Sequence, residues 1–178
     1  MMINRRPEKQ YHHRLLLELL CIIACVGYLL STPMSASGQG RIDDENLKWY
    51  SFSEAARLAT VNHKKILLFM EADWCSVCKR MKREVFAART IQTFLEKHFY
   101  YVRINIDSGK KMVFQGRAVT QRSFSKKMKM QATPTVIFLD QNKSIIGSKA
   151  GFMNRSVFLK LLRYIQTEAY LNLSYEEY

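Results

Sequence analysis

Apolar residues first gather in residues 15–30 of this chain, LLLELLCIIACVGYLL, a run of 16 interrupted only by Glu18. A polar, mostly basic stretch precedes it, and small, turn-forming residues (STPMSASGQG) follow. Basic, then apolar, then small is the order of a secretory signal, and Ser35 and Ser37 suit cleavage after Ser37. The run falls short of the ~20 residues that span a bilayer comfortably. An uncleaved anchor, with Glu18 snorkelling near one end, is the alternative. Ile22-Ile23-Ala24-Cys25 also fits a lipoprotein box, although the apolar run continues past it. We expect residues 1–37 to be a signal peptide or membrane anchor and residues 38–178 to form one domain.

Beyond that segment the hydrophobic period changes repeatedly. Residues 47–52 read as a short edge strand. Ser53 is placed to cap a helix running to Asn62, with Glu54 in its first turn. Residues 66–70 (ILLFM) are unbroken apolar, which suits a strand buried on both faces. Helices are expected over 75–86 and 90–98. Residues 100–106 (YYVRINI) are β-branched and aromatic and predict a strand. A polar loop with a small hairpin around 112–119 leads to a basic helix over 120–130. Residues 135–139 (TVIFL) predict a strand, and the turn DQNK joins it to an antiparallel partner over 144–150. Asn154 caps a last helix to Thr167, with Val157, Phe158, Leu161, Leu162 and Ile165 at helical spacing. Residues 170–178 are a tail. The order β-α-β-α-α-β-α-β-β-α implies an α/β fold, a mixed central sheet with helices on both faces.

Composition narrows the function classes. Hydrophobic residues make up 48% and charged residues 24% of 178, an ordinary globular mix that argues against disorder and fibrous repeats. Four cysteines are too few for a disulfide scaffold. Cleavage after Ser37 would leave only Cys75 and Cys78. Of the net charge of +13, residues 1–37 hold four Lys/Arg and two acids, which leaves +11 on the remainder. Such a surface could meet nucleic acid, acidic lipid or acidic protein. The densest run, Lys126-Lys127-Met128-Lys129, lacks interleaved aromatics for stacking, so it reads as a solvated helix face and no nucleic-acid partner is expected. His63 and His98 lie far from the cysteines in sequence, and the methionines form no tight motif. No metal site is expected.

Chemistry concentrates in Trp74-Cys75-Ser76-Val77-Cys78-Lys79, where strand 66–70 gives way to a helix. The helix start sets Cys75 beside unpaired N–H groups and the positive end of the helix dipole. Lys79, Arg80, Lys82 and Arg83 add positive charge. Both favour a thiolate. Cys78, one turn inward, can close a disulfide with Cys75, so Cys75 attacks and Cys78 resolves the mixed disulfide. Lowering a thiol pKa from about 8.5 to about 7 raises the thiolate fraction at pH 7 roughly 15-fold, and weaker nucleophilicity returns about fivefold of that. Docking and the second thiol must therefore supply most of the advantage. No cofactor is required, because the redox-active dithiol itself carries two electrons. A purely structural disulfide is the bland alternative, yet so small a ring stabilises little by loop closure. A Cu(I) metallochaperone using the same pair is a rival, as is a non-catalytic scaffold module.

ADWCSVCK after an apolar strand, Ala132-Thr133-Pro134-Thr135 before another, and Gly151-Phe152 before the last helix together resemble the thioredoxin fold over residues 49–170. The pattern is most similar to periplasmic thioredoxin-like proteins of the SoxW type and to the C-terminal domain of the DsbD thiol reductase. The resemblance implies that Pro134 is a cis-proline facing the CxxC pair and that Thr133 pairs its backbone with the substrate chain. It also implies that Trp74 shapes the groove with them. It implies an exported, periplasmic oxidoreductase that reduces disulfides in other exported proteins. A membrane thiol reductase of the DsbD or CcdA type would supply electrons, and the N-terminal segment alone would touch the membrane. Two departures matter. Many thioredoxins bury an Asp six residues before the first cysteine as a proton relay; here that position is Phe69, and Glu71 is the candidate relay, or else a solvated strand-end carboxylate. Ser76-Val77 is neither the Gly-Pro of thioredoxin nor the Pro-His of the oxidant DsbA, so a disulfide oxidant or isomerase is the alternative.

Overall fold

The unbroken apolar run ILLFM becomes the central strand. In the computed structural model β1 (Lys65–Glu71) buries its five middle residues completely. The structure describes residues 47–178, so the expected signal or anchor over residues 1–37 lies outside the described residues. The chain divides into units Met1–Gly40 and Arg41–Tyr178, and all described residues belong to the second. β1 pairs in parallel with β2 (Phe99–Asn105) and antiparallel with β5 (Thr135–Leu139), and β6 (Ile145–Ala150) pairs antiparallel with β5. The resulting order is β2-β1-β5-β6.

Alternation along the strands builds two cores. Leu67, Phe69, Tyr101, Val136 and Phe138 face one side. There they meet α2 (Ser76–Met81), the π-helical turn Lys82–Phe86 that continues it, α3 (Arg89–His98) and α5 (Arg155–Gln166). Ile66, Leu68, Met70, Val102 and Ile137 face the other side. There they meet α1 (Phe52–Asn62), the hairpin of β3 (Lys111–Phe114) and β4 (Arg117–Thr120), and α4 (Gln121–Lys127). The β3–β4 turn is Gln115-Gly116 with both φ positive, at 50° and 75°, the two-residue geometry whose twist suits a hairpin. Asn154 caps α5 as expected, accepting from the Val157 N–H at 3.0 Å.

Four local expectations are corrected. Residues 47–52 form no strand. Their alternation is real, since Trp49 packs on Phe69 and Phe86 while Tyr50 also reaches the second core. The Tyr50 N–H reaches β2 at the Tyr101 carbonyl (3.0 Å), and Ser51 then turns the chain into α1 before a ladder forms. Ser51, not Ser53, caps that helix, accepting from the Glu54 N–H at 3.2 Å. The earlier start puts Phe52 on the same inward face as Ala55 and Ala59. The basic helix ends at Lys127 rather than Met130, because Lys129 turns left-handed at φ 50°. The single helix expected over 75–86 loosens to a π turn after Met81.

Candidate active site

The sheet register carries three loops to one end. Met70 pairs with Ile104 and with Thr135, and Thr135 pairs with Ala150. The segment leaving β1, the Thr133–Pro134 entry to β5 and the Gly151–Phe152 exit from β6 therefore lie side by side. The Gly151 N–H donates to the Pro134 carbonyl at 2.8 Å, which ties two of them together. The Thr133–Pro134 peptide bond is cis.

Cys75 is the N-cap of α2. Its N–H donates to the Ala72 carbonyl (3.0 Å) and its Sγ accepts from the Cys78 N–H (3.0 Å). That N–H is one of the orphan donors of a helix start, and it stabilises negative charge on the sulfur. The two cysteines are joined as a disulfide with Cα atoms 5.3 Å apart. Cys75 keeps 4% exposure and Cys78 none, so an incoming thiol or disulfide meets Cys75 first. Lys79 and Arg80 are exposed on α2, and the Arg80 guanidinium lies 3.9 Å from the centroid of the Phe152 ring. A cation over that face is attracted by the ring quadrupole, and it links α2 to the loop before α5.

Trp74 stands 68% exposed beside Cys75. Its indole N–H donates to the Asp107 carboxylate at 2.8 Å, and Arg122 donates to the Asp107 carbonyl. Asp107 was not legible as part of the site. The turn after strand 100–106 is readable from its Asp-Ser-Gly residues, but no spacing rule ties it to a tryptophan 33 residues earlier.

A model of the thioredoxin-like domain matches residues 52–166. The chain belongs to the thioredoxin-like family. Among curated relatives it is 26% identical to the disulfide bond reductase DsbH of Chlamydia pneumoniae, over 66% of this chain and 77% of that protein. It is also 26% identical to the thiol:disulfide interchange protein DsbD of Photorhabdus laumondii over 65% of this chain, which spans only 19% of that protein. Among solved structures, a thioredoxin-fold protein from Helicobacter pylori superposes with a TM-score of 0.60 at 22% identity, covering 70% of this chain and 89% of that one.

Within this thioredoxin-like domain Glu71 has other company than a thiol. Lys82 lies 2.8 Å and Arg103 3.8 Å from its carboxylate, which is 13% exposed. Among the described residues, the Glu71 carboxylate pairs with these two cations. The pair with Lys82 ties the end of β1 to the first residue of the π turn. Glu71→Gln should cost about 1–3 kcal/mol in urea unfolding, since it leaves Lys82 poorly paired in a mostly buried site. Turnover as a function of pH decides the relay role: an unshifted profile makes Glu71 structural, and a displaced one makes it the relay.

Proposed function

We propose that this protein is an exported thiol–disulfide oxidoreductase that reduces disulfides in other exported proteins. Cys75 is the attacking thiol and Cys78 the resolving one. The carrying observation is the Cys75–Cys78 disulfide at the start of α2, with the Cys78 N–H aimed at Cys75 Sγ and Cys78 itself buried. In the reduced protein the Cys75 thiolate attacks one client sulfur and releases the other as a thiolate. The Cys78 thiolate then attacks Cys75 Sγ and frees the second client thiol. Two electrons pass to the client and the pair closes. Trp74, Thr133 and Pro134 line the groove that receives the client chain. The names of the relatives, a disulfide bond reductase and a thiol:disulfide interchange protein, support this reading. Export rests on the basic, apolar and small-residue order of residues 1–37. An oxidising compartment returns such a pair to the disulfide, so a membrane thiol reductase of the DsbD or CcdA type is the proposed electron donor.

The redox potential tests the direction. The protein is equilibrated in graded thiol–disulfide buffers and its alkylated thiols are counted by mass. A two-electron transition near thioredoxin's figure of about −270 mV is expected. A transition near about −120 mV, the DsbA figure, would make the protein an oxidant or isomerase. Absence of any transition would leave the fold without the activity.

A further inference from the structure

The basic run set aside as a solvated face belongs to a longer, one-signed segment. Between Asp107 and Asp140 the chain carries seven Lys/Arg and no acid. The ion pairs among the described residues involve Lys65, Lys82, Arg83 and Arg103, all outside that segment. Lys110, Lys126 and Lys129 are exposed. Basic residues without acidic neighbours raise the local potential well above that of a mixed surface.

Both ends of this segment are tied to the active-site end of the sheet. At one end Arg122 donates to the carbonyl of Asp107, whose carboxylate holds the Trp74 indole. The Gln121 N–H bonds the Lys110 carbonyl (2.9 Å), so Lys110 adjoins the start of α4. Arg122 and Lys126 are four apart on that helix and so share one face. At the other end the chain runs from Lys129 to Thr133, a reach of no more than about 14 Å. The segment thus flanks Trp74 at its start and delivers Thr133–Pro134 at its finish.

We propose that the basic segment around α4 is a docking wall for acidic polypeptide, so that preferred clients carry Asp or Glu beside their disulfide. This rests on the oxidoreductase reading and names its substrate class. Charge complementarity selects the occupant. Polypeptide is favoured over lipid because the segment connects at one end to Trp74 through Asp107 and at the other to Thr133–Pro134, the flanks of the bond to be exchanged. Oppositely charged surfaces speed encounter and suppress wrong partners, and three exposed charge pairs together are worth about tenfold.

Matched cystine peptides test this with the full chain, reduced beforehand. Their disulfide is flanked by Asp/Glu, by Asn/Gln or by Lys/Arg, and kcat/KM is measured for each. At low ionic strength the acidic peptide should react about tenfold faster than the neutral one. The advantage should fall to within about twofold in a Lys110→Gln, Lys126→Gln, Lys129→Gln variant, and likewise at about 1 M salt, where the Debye length is ~3 Å. The neutral peptide's rate and the redox potential should not move. Equal wild-type rates for all three peptides, or a preference that survives in the variant, would overturn the proposal. So would co-sedimentation with phosphatidylglycerol vesicles that the variant loses while peptide rates ignore flank charge; that result assigns the face to lipid. If no peptide is reduced, the oxidoreductase reading fails, and anisotropy of labelled oxidised peptides still decides the docking wall. Binding of the acidic peptide lost in the variant upholds it, and binding indifferent to charge sinks it.

Discussion

Cys75→Ser abolishes reduction of a protein disulfide, while Cys78→Ser keeps the first half of the reaction and accumulates a mixed disulfide with the client. The asymmetry follows from burial and hydrogen bonding. Cys75 is the sulfur that a client can reach, and the Cys78 N–H donates to it. Without Cys75 no nucleophile is exposed. Without Cys78 the client stays attached, because nothing close by attacks Cys75 Sγ. The expected loss for Cys75→Ser is at least about a thousandfold in turnover, since a hydroxyl does not replace a thiolate at neutral pH. Mass spectrometry of the Cys78→Ser protein with a disulfide peptide should show one peptide chain per protein, released by added dithiol. Adducts through Cys78 in the Cys75→Ser protein would reverse the two roles. Stoichiometric Cu(I) binding lost in Cys75→Ser, with no disulfide turnover in the unaltered protein, would favour the metallochaperone.

Phe69→Asp should unfold the protein or destabilise it by at least about 4 kcal/mol, rather than supply the proton relay that many thioredoxins keep at this position. Phe69 is fully buried. Its ring lies 4.8 Å from that of Phe86 and 6.2 Å from that of Trp49. Removing a buried phenyl ring alone costs roughly 3–5 kcal/mol. The carboxyl then adds its own desolvation: its ladder partners are the apolar Val136 and Arg103, whose guanidinium is already shared by Glu71 and the Trp49 ring. Phe69→Leu is the control: it keeps the position apolar, should cost about 1.5 kcal/mol or less if the cluster repacks, and should leave turnover within about twofold. Urea midpoints of the two variants check both figures. A stable Phe69→Asp protein would mean that the aromatic cluster tolerates a polar guest and that the departure from the family pattern is incidental.

Phe69 and Glu71 show where sequence reading stops. A hydrophobic residue at a position often acidic in the family is visible at once, and so is a nearby carboxylate that could stand in for it. What Glu71 does depends on which cations the fold brings to it. Lys82 comes from the start of the π turn, and Arg103 from β2, which lies parallel to β1 with Asn105 opposite Glu71. Asp107 was missed for the same kind of reason: its contact with Trp74 joins two loops that only the sheet register aligns. The expected strand over 47–52 failed on a subtler point. Its alternating residues do face two cores, but a ladder needs repeated backbone pairing, and Ser51 turns the chain into α1 before one forms.

By itself, the chain of residues determined where most elements begin and end, because period, caps and turn residues are local properties. It also determined the redox chemistry, because two cysteines at a helix start lie close whatever the rest of the chain does. Only the tertiary structure decided the company those cysteines keep. Thr133–Pro134, Gly151–Phe152 and Asp107 lie tens of residues from Cys75, and strand register carries them to the same end of the sheet. The same register joins the acid-free segment to the site through Asp107 and Thr133. Long-range pairing depends on which apolar faces meet across the whole sheet, and no short window of sequence carries that information.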